Sequence, residues 1–187
     1  MTETKFIKYL ESLKLLEKSG KGVLELGCGK GMEALALAER GFDVTAIDKN
    51  PDVFKENKQI AVEKKLSLKF LIQDILDFSI KPKGYYLIIA RNVLPFLEDK
   101  RIIFKTLESM IGGLEDGGII YFTLFGFDEP WVKENKAVGL EYQEVIDFLN
   151  QFNLELILRE TKEGLMTKMS GEFKYWQVFE FIYRKKA

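Results

Sequence analysis

Residues 23–31 read V-L-E-L-G-C-G-K-G, an apolar run that passes into three glycines at alternate positions. Glycine admits backbone angles that other residues resist, so three of them permit a sharp turn with no side chains blocking a ligand. Residues 31–39, G-M-E-A-L-A-L-A-E, follow at once and are rich in strong helix formers. The stretch therefore reads as buried strand, glycine loop and helix. The free N–H groups at the start of that helix favour something polar or anionic lying against the loop. A tight turn with no ligand is the plainer alternative, and the flanking strand and helix argue against it. Glu25 sits on the buried strand itself, where an unpartnered carboxylate is costly, so it needs a partner.

The rest of the chain repeats the alternation. Phe6, Ile7, Tyr9, Leu10, Leu13 and Leu16 have helical spacing, which predicts an amphipathic helix over 4–18, ended by Ser19-Gly20. A second strand runs from Phe42 to Ile47 and ends at Asp48. Asn50-Pro51 is a helix-start signature, for a helix running to about Lys64. Leu66–Ile72 is a third strand, followed by Gln73-Asp74. Tyr85–Ala90 is a fourth, apolar throughout, as suits a central parallel strand covered on both faces. A helix over 98–111 turns Ile103, Leu107 and Met110 inward, a turn covers 112–118, and Ile119–Phe125 is a fifth strand.

The ending changes character. A helix over Tyr142–Phe152 precedes two strands, Leu154–Thr161 and Phe173–Arg184, joined by a loop containing Gly164 and Gly171. With no helix between them they predict an antiparallel pair at one sheet edge. The whole pattern predicts a three-layer α/β sandwich in one domain, residues 1–187, with 1–20 as a helical lid segment. Ligands of such sheets lie beyond the C-terminal strand ends, where strand order reverses.

Composition removes several classes. Histidine is absent, which excludes a histidine base, histidine-ligated zinc and a Ser-His-Asp triad. A single cysteine, Cys28, excludes an internal disulfide and fits a reducing cytoplasm. Lys+Arg is 28 against Asp+Glu 29, so no nucleic-acid partner is expected, and Arg184-Lys185-Lys186 reads as a solvated tail. No signal-peptide segment opens the chain and no apolar run nears the ~20 residues of a membrane span, so a soluble protein is expected.

A dinucleotide fingerprint, G-x-G-x-x-G, would place its third glycine at position 32, which is Met32. The pattern here is instead E-x-G-x-G-x-G. At the end of a first strand this resembles the class I S-adenosylmethionine-dependent methyltransferases. V-T-A-I-D-K-N, L-I-Q-D-I, A-R-N-V-L-P-F-L, E-D-G-G-I-I-Y-F-T-L-F and K-Y-W-Q-V-F-E-F-I-Y-R-K extend the resemblance from Val23 to the C-terminus. It is strongest to small bacterial members of the tellurite-resistance and thiopurine methyltransferase type.

The resemblance implies a Rossmann-like sandwich of strand order 3-2-1-4-5-7-6, mostly parallel, with an antiparallel C-terminal strand. It implies that Asp48 holds the ribose hydroxyls, a task for a carboxylate that accepts two hydrogen bonds at once. Asp74 would take the adenine amino group and the Ile75 N–H an adenine ring nitrogen. Glu25 would find its partner at the methionine amino end or in nearby backbone N–H groups, and Ala90, Arg91 and Asn92 would line that end. Gly27, Cys28, Gly29, Gly31, Met32 and Lys49 complete the implied S-adenosyl-L-methionine site. Cys28 reads as a small residue of the turn, since no histidine is present to activate it. Where the family often carries an acid before the fourth strand, this chain has Tyr85-Tyr86.

Methyl transfer from a sulfonium needs alignment and exclusion of water more than a covalent catalyst, so the lack of histidine is tolerable. No catalytic residue stands out. Residues 92–96, N-V-L-P-F, depart from the N-P-P-Y clamp of enzymes that methylate amide or exocyclic amino nitrogens. A small-molecule acceptor is expected. Phe127, Pro130 and Trp131, with Phe6 and Tyr9, form a candidate roof over an apolar pocket, with ordinary packing as the alternative. Arg91 either steers an anionic acceptor or forms a surface ion pair. Two other functions stay open: an NAD(P)-dependent oxidoreductase of Rossmann type, and a non-catalytic nucleotide-binding module on the same fold.

Overall fold

The computed structural model describes residues 2–17, 19–167 and 172–187. Its strands are β1 (Gly22–Leu26), β2 (Asp43–Asp48), β3 (Leu68–Ile72), β4 (Tyr85–Ala90), β5 (Leu114–Phe125), β6 (Leu154–Thr167) and β7 (Phe173–Lys185). They form one sheet in the order β3-β2-β1-β4-β5-β7-β6. The first five run parallel, and β7 pairs antiparallel with both β5 and β6. Both the strand order and the antiparallel edge agree with the expectation from sequence.

The helices are α1 (Lys5–Ser12), α2 (Met32–Ala38), α3 (Lys55–Glu63), α4 (Lys100–Gly113), α5 (Pro130–Lys133) and α6 (Tyr142–Leu149), with a 3-10 turn at Leu94–Phe96. Alternate residues of one strand point to opposite faces, so each central strand feeds two cores. On one face Leu24, Ile88 and Phe122 pack with Ile103, Leu107 and Met110 of α4 and Val145 of α6. On the other, Val23, Ile89 and Tyr121 pack with Phe6, Ile7 and Leu10 of α1 and Ala34 and Leu37 of α2.

Several boundaries differ from the expected ones. The first helix ends at Ser12 because Lys14 takes a left-handed φ of 56°. Leu15 is nevertheless buried, in non-helical chain, and its carbonyl accepts the Tyr86 hydroxyl at 3.3 Å. Lys18, at the expected helix end, lies outside the described residues. The third helix begins at Lys55, not at Pro51, because the Asn50 side chain accepts the Asp52 N–H at 3.0 Å and closes a local turn instead. The 112–118 turn is absorbed: α4 runs to Gly113 and β5 begins at Leu114, in irregular register against β4.

The helix expected to reach Phe152 stops at Leu149. The last two strands outrun their apolar stretches because each pairs with the other, and that pairing sustains the extended backbone. Gly164 therefore lies within β6, opposite Trp176, not in a loop; Gly171 lies outside the described residues. Among the described residues, no helix is long and apolar enough to cross a membrane.

Candidate functional site

The carboxyl ends of β1, β2, β3 and β4 share one rim of the sheet, and the glycine loop lies on it. Gly27 has a φ of 65°, and a Cβ there would lie 2.4 Å from the Val93 side chain. Gly31, just before α2, has a φ of 71°, and a Cβ would meet the Phe70 ring at 2.4 Å. Both positions thus need glycine for backbone angle and for space. At Gly29 a Cβ would meet nothing within 4 Å, so the middle of the loop faces open space.

Asp48, at the end of β2, shapes this loop. One carboxylate oxygen accepts the Gly29 N–H and the other the Asn50 N–H, each at 2.9 Å. Asn57 adds a contact the sequence reading missed. It is buried on α3, donating to the Lys30 carbonyl at 2.6 Å and lying 3.3 Å from the Met32 sulfur. Its signal was a polar residue at i, i+4 from Ala61 on the one buried face of α3. Met32 itself is 39% exposed. Cys28 is buried, and burial pushes its thiol far up, which keeps it a neutral, inert residue of the turn.

A cavity of about 220 Å³ opens beside the loop. It brings together Gly27, Asp48, Lys49, Asp74 and Ile75 from the sequence-based site. Asp74 accepts the Leu76 N–H at 3.0 Å, which fixes the turn after β3. The opposite wall is Val93, Phe96 and Leu97, around a 3-10 turn that no periodicity in the sequence announces.

Glu25, Cys28, Gly29, Gly31, Met32 and Ala90 do not line this cavity. Glu25 is 5% exposed and its Oε2 has no hydrogen-bond partner among the described residues. Burial, with the nearby Glu33 charge, pushes Glu25 up to about 8. Ala90 is fully buried at the end of β4.

Arg91 and Asn92 line a second cavity, of about 240 Å³. The Arg91 guanidinium pairs with Glu33 at 2.8 Å and sits 4.9 Å from the centre of the Phe6 ring, so the ion-pair alternative describes it. Asn92 holds a left-handed φ of 55° and is tied to β5: its N–H donates to the Thr123 hydroxyl at 2.8 Å, which donates to Asn92 Oδ1 at 3.1 Å. Phe6 stands edge-on to Tyr121 at 4.6 Å, and the Lys162 ammonium lies 5.4 Å from the Tyr9 ring, so α1 stands over this cavity. Trp131 reaches it only through Trp176, at 5.3 Å, while Phe127 is 52% exposed and, with Pro130, stays off the lining. Lys162, Trp176 and Glu180 also line it, all three missed from sequence because β6 and β7 are remote in the chain from β4.

Residues 17–179 match the family model described as a methyltransferase domain. Over 137 residues, 72% of this chain, the sequence is 32% identical to phosphoethanolamine N-methyltransferase 1 of Arabidopsis thaliana. Over 117 residues, 63% of this chain, it is 28% identical to a ubiquinone biosynthesis O-methyltransferase of Coxiella burnetii. The chain spans only 28% and 48% of those relatives' lengths. The fold matches TehB from Haemophilus influenzae with a TM-score of 0.77 at 20% identity, covering 96% of this chain and 62% of that one. It matches the N-methyltransferase NodS of Bradyrhizobium japonicum, solved with S-adenosylhomocysteine, with a TM-score of 0.71 at 23% identity, covering 96% and 85%. With that match over most of its length and the sheet in the order expected of the family, the chain belongs to the class I S-adenosylmethionine-dependent methyltransferases.

Proposed function

We propose that the protein methylates a small-molecule acceptor, holding S-adenosylmethionine across the rim between the two cavities. The observation that carries this reading is the gathering of Gly27, Asp48, Lys49, Asp74 and Ile75 on one cavity, beside a loop kept bare at Gly29. The orphaned, buried Glu25 oxygen fits the cofactor's ammonium group, which would supply the partner it lacks. In this assignment Asp48 receives the ribose hydroxyls on the lone pairs that Gly29 and Asn50 leave free. Asp74 and the Ile75 N–H hold the adenine edge. Arg91 and Asn92 flank the methionine end, with Ala90 beneath.

When bound, the cofactor supplies a methyl group to an acceptor lone pair by in-line displacement, the carbon–sulfur bonding pair returning to sulfur. The protein's own part is alignment and exclusion of water. Helix α1, at the head of the 1–20 segment, acts as the lid over the second cavity, within one domain spanning 1–187. The relatives' names include both an N- and an O-methyltransferase of small molecules, which supports a small acceptor and leaves its atom open. Calorimetry of the purified chain with S-adenosylhomocysteine tests the reading. Saturable binding is expected, and none up to millimolar ligand would overturn it.

A further inference from the structure

The second cavity contains a carboxylate with one oxygen free. Glu180 is 2% exposed, on β7 directly opposite Thr123 of β5. Its Oε2 takes the Lys162 ammonium, while its Oε1 has no hydrogen-bond partner among the described residues. The Tyr9 hydroxyl, also buried, lacks one too. Burial, and then the Glu180 charge, push Tyr9 up to about 12 and raise Tyr121 strongly as well. Both phenols therefore stay neutral. Tyr121, Thr123, Trp176 and Val178 complete the lining beside Lys162. Arg91 is paired with Glu33, and the Asn92 Oδ1 accepts the Thr123 hydroxyl.

A buried acceptor oxygen is costly until a donor meets it. A thiolate, carboxylate or oxyanion would bring lone pairs against Oε1, and an apolar ligand would leave it unmet. A hydroxyl or an amine meets it with an O–H or N–H, and only an ammonium also brings a positive charge for the carboxylate to receive, beside the aromatic residues Tyr121 and Trp176. Resting on the methyltransferase reading, we propose that this cavity selects a primary or secondary amine as methyl acceptor, with Glu180 as the residue that determines that choice.

The charges balance. The ammonium form binds against Oε1 and gives up one proton to water at the mouth, which is open at Arg91, Asn92 and Lys162. The freed nitrogen lone pair forms the bond to the methyl carbon, and the nitrogen regains the positive charge that the sulfur loses. Glu180 thus faces charge that develops on the acceptor as the bond forms.

Trp176 lines this cavity and packs against Trp131, the other tryptophan of the chain, so tryptophan fluorescence reports on it. The full chain is first titrated with S-adenosylhomocysteine. The saturated complex is then titrated with phenethylamine, 2-phenylethanol and phenylacetate. Phenethylamine is expected to bind at least tenfold more tightly than either of the others. Glu180→Gln is expected to abolish that preference while leaving S-adenosylhomocysteine affinity unchanged. Equal or tighter binding of the alcohol or the acid, or a preference that survives Glu180→Gln, overturns the inference. Selectivity of the wild-type chain decides the matter alone if Glu180→Gln does not fold. A wild-type chain that fails to bind S-adenosylhomocysteine overturns the cofactor reading, and this inference with it, at the first titration.

Discussion

Asp48 has two tasks in one carboxylate: it pins Gly29 and Asn50 through their N–H groups and offers its remaining lone pairs to a ribose. Asp48→Ala is expected to weaken S-adenosylhomocysteine binding by about 1.5–3 kcal/mol, the range of charge-assisted hydrogen bonds, measured by calorimetry. Glu25 gives a pH signature. Its folded value of about 8 lies above the ordinary 4.5, so between those values the folded chain holds a proton that the unfolded chain has lost. Stability of the ligand-free protein should therefore fall as pH rises from about 5 to 8, and Glu25→Gln should flatten that slope in urea unfolding. Binding of the cofactor's ammonium favours ionised Glu25, so affinity for S-adenosylhomocysteine should rise over the same window. The carboxylates at strand ends were legible in the sequence because strand and helix signals around them are local. Asn57 and Glu180 were not, because their roles depend on elements remote in the chain meeting at the site.

A buried ion pair joins two elements that the sequence leaves unrelated. Glu129, just before α5, pairs with Lys174 of β7 and accepts the Gln177 N–H at 3.0 Å. The Lys174 ammonium sits 3.2 Å from the centre of the Trp131 ring and 4.0 Å from that of Trp176. Lys174→Met should cost about 3–5 kcal/mol, since it strands a buried carboxylate, whereas Glu129→Gln with Lys174→Met together should cost less. Chemical denaturation of the three proteins measures both, and a single variant as stable as the parent would refute the assignment. At this scale the strands were legible because an uninterrupted apolar run such as Tyr85–Ala90 suits a strand buried on both faces. Helix ends were less so: Lys14 adopts a left-handed turn inside an apolar pattern that continues past it. The extra length of β6 and β7 comes from pairing between strands, which no local signal encodes.

For the whole molecule, a ligand that binds only the folded chain stabilises it by mass action. S-adenosylhomocysteine at a hundred times its dissociation constant should add about 2.7 kcal/mol. For a chain of this size that raises the melting temperature by about 5–10 °C, measured by scanning calorimetry. NAD should leave it unmoved, and the reverse ranking would restore the oxidoreductase alternative. The sequence by itself determined the alternation of strands and helices, the glycine loop and the acids at the strand ends, because each is written in neighbouring residues through periodicity, backbone freedom and chain order. Only the tertiary structure decided that Glu180, Trp176 and Asn92 line one cavity, and that one oxygen of Glu180 is left without a donor among the described residues. The physical reason is that desolvation and hydrogen-bond satisfaction belong to the space between elements, which exists only after β7 has inserted between β5 and β6 and α1 has closed over them.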